Sequence, residues 1–260
     1  SVRFPGKPLV KLSIGEGLQK SLIQLSWEAA CRVKNVEMVF VATDDERIRV
    51  EAESFGARVI MTSKECKNGT ERCTEEIKNI NFVGDLVVNF QGDAPLTPKW
   101  FVEDLIQAFE KNSDTQIATP VLRLDDRALK EFRLDRKSGR IGGTTVVSDN
   151  NSNALYFSKE IIPYFDEKRI EQKENCPVFH HVGIYAYSPE TLLNYNLWKE
   201  SNLEVLEGLE QLRFLENGHS IKCVLVDSKG RLFWELNNPG DVIRIEKAIN
   251  ENKKSGKKNE

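Results

Sequence analysis

The chain has 260 residues, with 37 Lys and Arg against 40 Asp and Glu, which gives a formal net charge of −3 at pH 7. A chain of this length can bury one substantial core, and its balanced charges exclude the strongly basic field that favours nucleic acids or membrane surfaces as partners. Its apolar segments are far shorter than the roughly 20 residues that cross a bilayer. We therefore predict one folded domain over 1–250, with no nucleic-acid or membrane partner, and a polar, disordered tail over 251–260.

The first half of the chain alternates between helical and strand patterns. Helices are predicted at 18–33, 46–55, 70–80 and 98–109, and strands at 37–42, 57–61, 86–90 and 116–122. Such alternation is typical of an α/β fold with a parallel sheet and helices on both faces.

The second half is less regular. The stretch from Arg123 to Thr145 is highly charged and has no clear period, so we predict a loop or an excursion there. Further strands are predicted at 153–157, 181–187 and 221–226, and helices at 204–217, which ends at Gly218, and 239–249.

The five cysteines are odd in number and have no C-x-x-C spacing. This pattern argues against both a disulfide framework and a zinc site. The sequence therefore predicts a protein of the reducing cytoplasm.

The predicted strand 86–90 runs directly into Gln91, Gly92 and Asp93. A buried strand that ends there delivers the two polar side chains to the edge of the sheet where α/β folds bind ligands. A carboxylate in that position is a natural ligand for Mg²⁺, which proteins hold with one or two carboxylates plus phosphate oxygens of the substrate. The segment indicates nucleotide chemistry.

Two polar turns are candidates for binding a phosphate group. Arg3 and Lys7 flank a Pro-Gly turn that holds both cations towards one anion, unless the turn is an ordinary solvated surface loop. Gly69, Thr70 and Arg72 open a predicted helix, where backbone amides, a hydroxyl and a guanidinium suit a phosphate or a base edge. Ordinary helix capping is the alternative for the second turn.

Polar groups on two later elements are candidates for binding a small polar molecule. His181 and Tyr185 are four residues apart on a predicted strand, so they project from the same side. Glu210 and Gln211 lie on the predicted helix 204–217 and suit the hydroxyl groups of a polyol, although acidic residues opposite leucines are usually a solvated face. We interpret His180 and His219 as structural or surface residues.

Together these stretches resemble the CMP-Kdo synthetases (3-deoxy-manno-octulosonate, or Kdo, cytidylyltransferases) and, more loosely, other cytidylyltransferases of acidic sugars. The order and spacing of the motifs carry the resemblance. The matching segments are Arg3 with 5–8, 42–44, 69–72, 91–93 with Pro95, 154–158, 181–187 and 209–213. The resemblance implies a Rossmann-like nucleotidyltransferase fold with a mixed, mostly parallel sheet, and a homodimer formed through about 123–215.

The resemblance also implies the reaction. The anomeric hydroxyl of Kdo attacks the α-phosphate of CTP with Mg²⁺ as cofactor, and pyrophosphate leaves, in a step of lipopolysaccharide biosynthesis. Such chemistry needs alignment and charge neutralisation more than covalent catalysis.

By the same resemblance, each candidate residue has an expected role. Lys7 and Asp93 are the expected catalytic residues, and Asp93 and Asn237 the expected metal ligands. The nucleotide is expected to bind at Arg3, Lys7, Gly69, Thr70 and Arg72. The sugar is expected to bind at Gln91, Lys159, His181, Tyr185, Glu210 and Gln211.

This sequence departs from the family pattern in a few places. The family usually begins with a strand that ends in Pro-Ala-Arg before the position of Ser1, so we expect that strand to be missing. Asn237 stands where an aspartate usually ligates metal, and Lys159 and His180 stand where arginines are common. Two alternatives therefore stay open: a cytidylyltransferase for a different 2-keto sugar acid, and a catalytically impaired nucleotide-binding homologue.

Overall fold

The computed structural model of the chain describes residues 6–139, 143–166, 176–231, 236 and 240–254, with side chains as far as residue 251. Two of the predicted site residues, Arg3 and Asn237, lie outside these ranges. The chain divides into two compact units, one within 1–82, 89–103 and 228–260 and the other within 83–88 and 104–227. Two compact units can belong to one functional domain, so the single domain over 1–250 stays a prediction.

The first unit contains two short pairs of strands. Its elements are β1 (Lys11–Ser13), β2 (Gln19–Ser21), α1 (Leu22–Ala30), β3 (Phe40–Thr43), α2 (Glu46–Ser54), β4 (Arg58–Met61), α3 (Gly69–Asn79) and α9 (Asp241–Lys254). Two further elements, β5 (Val87–Phe90) and α4 (Lys99–Lys111), begin in one unit and end in the other. Strands β1 and β2 are antiparallel, whereas β3 and β4 are parallel, with Val41 opposite Val59.

Two apolar clusters stabilise the first unit. One joins the β1–β2 pair to α1 and α9, and the other packs α2 onto the β3–β4 pair. Their fully or largely buried members are Leu12, Leu22, Leu236 and Ile245 in the first cluster, and Val41, Ala52 and Ala57 in the second. Because the second cluster fixes the two parallel strands together, the residues that follow Thr43 and Met61 lie at one edge of the pair.

The second unit is built on a larger sheet. Its elements are β6 (Ile117–Arg123), α5 (Asp126–Lys137), β7 (Thr144–Ser148), β8 (Ala154–Ser158), β9 (Phe179–His181), β10 (Ile184–Tyr187), α6 (Pro189–Tyr195), α7 (Asn202–Glu207), α8 (Leu212–Glu216) and β11 (Lys222–Leu225). The strand order is β5-β10-β6-β9-β7-β8, and β11 pairs with β6. Strand β5 contributes Val87 and Val88 to this unit.

The α/β class is confirmed, but a mostly parallel sheet is not what the second unit contains. The β6–β11 pair is parallel, whereas β6–β10, β6–β9, β7–β9 and β7–β8 are antiparallel. The short connection between β7 and β8 reverses the direction of the chain, which a parallel pair cannot do without a long crossover. Within the described residues, no helix is both long enough and apolar enough to span a membrane.

Of the two alternatives predicted for 123–145, a loop or an excursion, the loop is wrong, because helix α5 occupies much of this stretch. The side chain of Asp125 accepts a hydrogen bond from the backbone N–H of Ala128 at 2.7 Å and caps the helix. Leu129 and Phe132, three residues apart, are its buried side chains. The many charged residues on either side of these two hid the helical period in the sequence.

The predicted strand 181–187 and the predicted helix 204–217 are each interrupted. The first is divided into β9 and β10, and the hydroxyl of Thr119 donates to the carbonyl groups of Val182 and Ile184 at the break. The second is divided into α7 and α8 at Gly208, whose φ of 61° lies in the left-handed region that favours glycine. Other bounds differ as well: for example, helix α1 begins at Leu22 rather than at residue 18, and α9 continues to Lys254, inside the predicted tail.

Candidate active site

Lys7 and Asp93 form an ion pair in the first unit. The Nζ atom of Lys7 lies 2.6 Å from the Oδ2 atom of Asp93, and the two side chains are 13% and 19% exposed. Lys7 begins a short 3-10 turn immediately after Gly6, which has a φ of 72°. The structure therefore brings together two residues that the sequence predicted separately.

The turn that carries Asp93 is held by backbone contacts. The carbonyl of Gly92 accepts a hydrogen bond from the hydroxyl of Ser26 at 3.0 Å, and the carbonyl of Asp93 accepts one from the N–H of Leu236 at 2.9 Å. Gln91 precedes this turn and also belongs to the first unit, and its side chain is half-buried. The position of the Asp93 carboxylate is thus fixed by the fold before any substrate binds.

The donor set around Asp93 fits a divalent cation that is shared with substrate. Within the described ranges, no cluster of three or more His, Cys, Asp or Glu side chains is suited to hold a metal ion. A single carboxylate does not hold Mg²⁺ tightly, but a carboxylate together with triphosphate oxygens is a usual magnesium site. Asp93 fits that arrangement because its carboxylate lies beside the ammonium of Lys7, a group of the kind that binds phosphate.

Arg72 is fixed at the edge of the β3–β4 pair. Its Nη2 atom lies 2.9 Å from the Oδ1 atom of Asp44, and its Nη1 atom donates to the hydroxyl of Thr62. Asp44 and Thr62 directly follow β3 and β4, and the N–H of Thr62 donates to the carbonyl of Thr43 at 2.9 Å. Ligands in α/β folds bind outside the carboxyl ends of parallel strands, where this guanidinium lies.

The start of α3 combines capping with the predicted nucleotide residues. The side chain of Asn68 accepts a hydrogen bond from the N–H of Glu71 at 2.8 Å, so helix capping, one of the two interpretations of this turn, is present. Gly69 is the first residue of the helix. Thr70 is fully buried, so its side chain contributes to packing in this state.

Asp44 and Thr62 were not among the site residues predicted from the sequence. A signal was present, because each follows a predicted strand in the same way that Asp93 follows 86–90. Their shared partner, Arg72, lies 10 residues beyond Thr62 in the chain. Only the parallel pairing of the two strands, which sequence does not specify, brings the three side chains together.

In the second unit, a row of packed rings connects β8, β9, β10 and α8. Ring centroids are separated by 5.0 Å between Phe157 and His181, 5.3 Å between His181 and Tyr185, 5.8 Å between Tyr185 and Tyr187, and 5.6 Å between Tyr187 and Phe214. The predicted proximity of His181 and Tyr185 is confirmed, although they lie on two strands rather than on one.

Within the part of the chain that the structure describes, His181 and Gln211 have buried polar atoms with no hydrogen-bond partner. The two residues are 5% and 2% exposed, and the atoms concerned are Nε2 of each side chain. Buried polar atoms are almost always paired in native proteins. Both unpaired atoms belong to predicted sugar-binding residues. We expect unpaired atoms at such a place if a polar ligand supplies their hydrogen-bond partners.

His181 is neutral at physiological pH. Burial, followed by the effect of His180, lowers the pKa of His181 from 6.5 to about 3. Burial and then the charge of Arg136 lower the pKa of His180 to about 4, and the His180 ring packs edge-on against Phe132 at 5.1 Å. His181 can therefore exchange hydrogen bonds with a ligand, but it does not carry a positive charge there.

His219 and His180 both have packing roles, as predicted. The Nδ1 atom of His219 lies 3.2 Å from Oε1 of Gln116, and its ring packs on Trp198 at 4.8 Å.

The remaining predicted sugar-binding residues follow β8 or lie between α7 and α8. Lys159 directly follows β8, and its backbone N–H donates to a carboxylate oxygen of Glu207 at 2.9 Å. The carbonyl of Glu210 accepts a hydrogen bond from the hydroxyl of Tyr195 at 3.1 Å. Glu204, expected on a solvated face, is instead buried against Arg213, with N–O distances of 2.6 and 2.7 Å.

Comparison with known proteins agrees with this arrangement. The cytidylyltransferase family matches residues 1–221. The 3-deoxy-manno-octulosonate cytidylyltransferase of Maricaulis maris is 38% identical over 249 residues, which cover 96% of this chain and 93% of the relative. The 8-amino-3,8-dideoxy-manno-octulosonate cytidylyltransferase of a Shewanella species is 37% identical over 251 residues, with 96% and 94% covered.

Solved structures agree as well. A structure of CMP:2-keto-3-deoxy-manno-octonic acid synthetase complexed with CTP has a TM-score of 0.79 and 30% identity, with 96% of this chain and 94% of that chain covered. The 4-diphosphocytidyl-2C-methyl-D-erythritol synthase of Anaerococcus prevotii, at a TM-score of 0.55 and 10% identity, supports the fold alone.

The fold is the Rossmann-like fold of the nucleotidyltransferases, as predicted. The chain belongs to the cytidylyltransferase family, and the prediction of an enzyme similar to the CMP-Kdo synthetases is confirmed.

Proposed function

We propose that this protein transfers the cytidylyl group of CTP to Kdo and releases CMP-Kdo and pyrophosphate, for lipopolysaccharide biosynthesis. The observation that carries the proposal is the 2.6 Å pair of Lys7 and Asp93, which combines a cation for phosphate with a carboxylate for Mg²⁺. The names of the relative from Maricaulis maris and of the CTP-bound structure support Kdo and CTP as the substrates.

The reaction follows from the chemistry of the two substrates. The anomeric hydroxyl oxygen of Kdo forms a bond to the α-phosphorus of CTP, and the bond from that phosphorus to the bridging oxygen of pyrophosphate breaks. The proton of the hydroxyl passes to solvent. Negative charge accumulates on the departing pyrophosphate, so fixed cations lower the barrier.

Five of the predicted site residues then have specific tasks in this reaction. Lys7 and Arg72 bind phosphate oxygens or the nucleotide, since both are cations held in fixed positions by carboxylates. The bound Mg²⁺ would neutralise phosphate charge, and Asp93, with Asn237 as a second oxygen donor, would hold it. His181, being neutral, orients the sugar through a hydrogen bond from or to its Nε2 atom.

A different 2-keto sugar acid remains a second candidate. The Shewanella relative, named for an 8-amino-3,8-dideoxy sugar, is 37% identical, nearly the same as the 38% of the relative named for Kdo. Lys159 also bears on this choice, because lysine lacks the bidentate geometry with which arginine binds a carboxylate.

Pyrophosphate release tests these functions directly. The full-length protein is incubated with CTP and Mg²⁺ together with Kdo, its 8-amino analogue or other sugar acids. We expect release with Kdo, and a higher kcat/KM for the 8-amino sugar would favour the second candidate. Release with none of the acids would contradict both, and a CTP-dependent rise in Tm without turnover would indicate an impaired homologue.

We also propose that the protein is a homodimer in the cytoplasm. Exposed apolar side chains of the second unit, such as Leu155, Val205 and Leu206, which are 63%, 63% and 74% exposed, support an interface there. Sedimentation equilibrium tests the dimer, and a monomer at micromolar concentration would contradict it.

A further inference from the structure

One carboxylate, that of Glu207, holds the end of strand β8. Its Oε1 atom accepts hydrogen bonds from the hydroxyls of Ser158 at 2.7 Å and Tyr156 at 3.3 Å, and its Oε2 atom accepts one from the backbone N–H of Lys159 at 2.9 Å. Burial and then the charge of Glu207 raise the pKa of Tyr156, so its phenol remains a donor. Glu207 thus accepts from three residues at one strand end.

Glu207 is also the last residue of α7, so it connects β8 to the turn that follows. Gly208 comes next, with a φ of 61°, and Glu210 and Gln211 lie just beyond it. A Cβ atom added to Gly208 would be 2.7 Å from the Nζ atom of Lys159. The ammonium of Lys159 therefore lies against the turn, in space that any larger residue at position 208 would take.

The other end of the same segment is held differently. Arg213 of α8 binds the carboxylate of Glu204 through two N–H groups, and the hydroxyl of Tyr195 contacts both Glu204 and the carbonyl of Glu210. These contacts join α6, α7 and α8 to one another. Glu207 instead ties this helical segment to the sheet.

We propose that Glu207 is a positioning residue for the acceptor site. Glu207 fixes the backbone of Lys159 and the turn from Gly208 to Gln211 in one arrangement. It thereby sets the distance from the ammonium of Lys159 to the side chains of Glu210 and Gln211, and these three groups bind the sugar acid. This inference rests on the proposed function, since it assigns Lys159, Glu210 and Gln211 to the acceptor.

The carboxylate form of residue 207 is required for this task. Both of its oxygens accept, and three donors face them. A glutamine keeps one accepting oxygen and turns its NH₂ group towards the other side, where the facing hydroxyls must change from donating to accepting or the facing N–H stays unpaired. Hydrogen bonds to charged groups contribute enough that their loss typically changes an equilibrium by about tenfold or more.

The test compares steady-state kinetics of Glu207→Gln with those of a matched control, Glu216→Gln. The carboxylate of Glu216 also accepts backbone N–H groups in this segment, but at the start of α7, from Leu203 at 2.9 Å and Glu204 at 3.4 Å. For Glu207→Gln we expect the KM for Kdo to rise by about tenfold and the KM for CTP to stay within about twofold. For Glu216→Gln we expect both values to stay near those of the wild type.

The outcomes separate this inference from the proposed function. Absence of wild-type turnover with Kdo overturns the proposed function and the inference with it. With an active wild type, an unchanged KM for Kdo in Glu207→Gln, or equal rises in both KM values, overturns the inference alone. If the Glu207 variant does not fold, Ser158→Ala decides, because it removes one donor to the same carboxylate: a KM for Kdo within about twofold of the wild type then overturns the inference.

Discussion

The ammonium of Lys7 lies 2.6 Å from the carboxylate of Asp93, although 86 residues separate them in the chain. Before substrate binds, each charge neutralises the other in a half-buried position. In the proposed reaction, CTP with a divalent cation would offer both groups better partners, because the phosphates would attract the ammonium and the cation would attract the carboxylate. On that proposal the pair is preorganised for an exchange of ions rather than for a proton transfer.

Asp93→Asn is expected to abolish turnover more completely than any other single change. The amide keeps the shape of the side chain but removes its negative charge. A divalent cation at this site would then lose the carboxylate that we propose holds it. We expect kcat to fall by about 10³-fold, the order seen when a preorganised electrostatic group is removed, and the dependence on Mg²⁺ to move to higher concentration.

The control for Asp93→Asn is its Tm, which should stay within a few degrees of the wild type. Pyrophosphate release across a Mg²⁺ titration provides the measurement. An activity near that of the wild type at ordinary Mg²⁺ concentrations would show that Asp93 does not hold the cation.

Arg72→Lys is expected to weaken nucleotide binding. The guanidinium of Arg72 contacts Asp44 and Thr62 at once, and a lysine ammonium cannot reproduce that fork. We expect the KM for CTP to rise by about tenfold, the usual effect of losing a charge-assisted hydrogen bond, with little change in the KM for Kdo.

A matched control for Arg72→Lys is Arg47→Lys on α2. Arg47 also pairs with an aspartate, Asp45, at 2.6 Å, but its side chain is 70% exposed. We expect Arg47→Lys to leave the KM for CTP unchanged. Equal effects of the two substitutions would indicate that general surface charge, rather than the position of Arg72, attracts the nucleotide.

The sequence predicted Arg72, Asp93 and His181 because each stands beside a regular strand or helix pattern. It could not predict that Asp44 and Thr62 share a partner, since that depends on which strands are neighbours. It also could not predict Glu204 as a buried residue. An acidic residue between leucines on a helix is normally exposed, and only the position of Arg213 on a second short helix makes burial favourable.

The buried His181 and the half-buried His180 are expected to make the fold sensitive to acid. Burial lowers the pKa of His181 to about 3 and of His180 to about 4, against 6.5 for an exposed histidine. Above pH 6.5 these groups are neutral in both the folded and unfolded states and contribute no pH dependence. Below pH 6.5, and down to the folded-state pKa of each group, the unfolded chain binds protons that the folded chain does not, so the free energy of unfolding falls by about 1.4 kcal/mol per pH unit for each group.

Urea unfolding between pH 7.5 and 4.5 measures this dependence. His181→Gln should remove part of the loss of stability below pH 6.5. A pH dependence that is the same in wild type and His181→Gln would contradict the assignment.

Arg213→Ala is expected to destabilise the second unit strongly. Arg213 and Glu204 are 3% and 7% exposed, so removal of the guanidinium leaves a buried carboxylate without its cation. Breaking one partner of a buried ion pair typically lowers the free energy of unfolding by about 3–5 kcal/mol. The guanidinium also lies over the ring of Tyr195, with its Cζ atom 4.2 Å from the ring centroid, so packing is lost along with charge.

The exposed pair of Arg127 and Glu131 provides the comparison. Their side chains are 80% and 43% exposed, so Arg127→Ala should change the free energy of unfolding by less than about 1 kcal/mol. Replacing both buried partners, as Glu204→Gln with Arg213→Met, should recover part of the stability that Arg213→Ala loses, because no charge is then left buried. If the double variant were as unstable as Arg213→Ala, the shape of the arginine rather than its charge would be what holds α7 against α8.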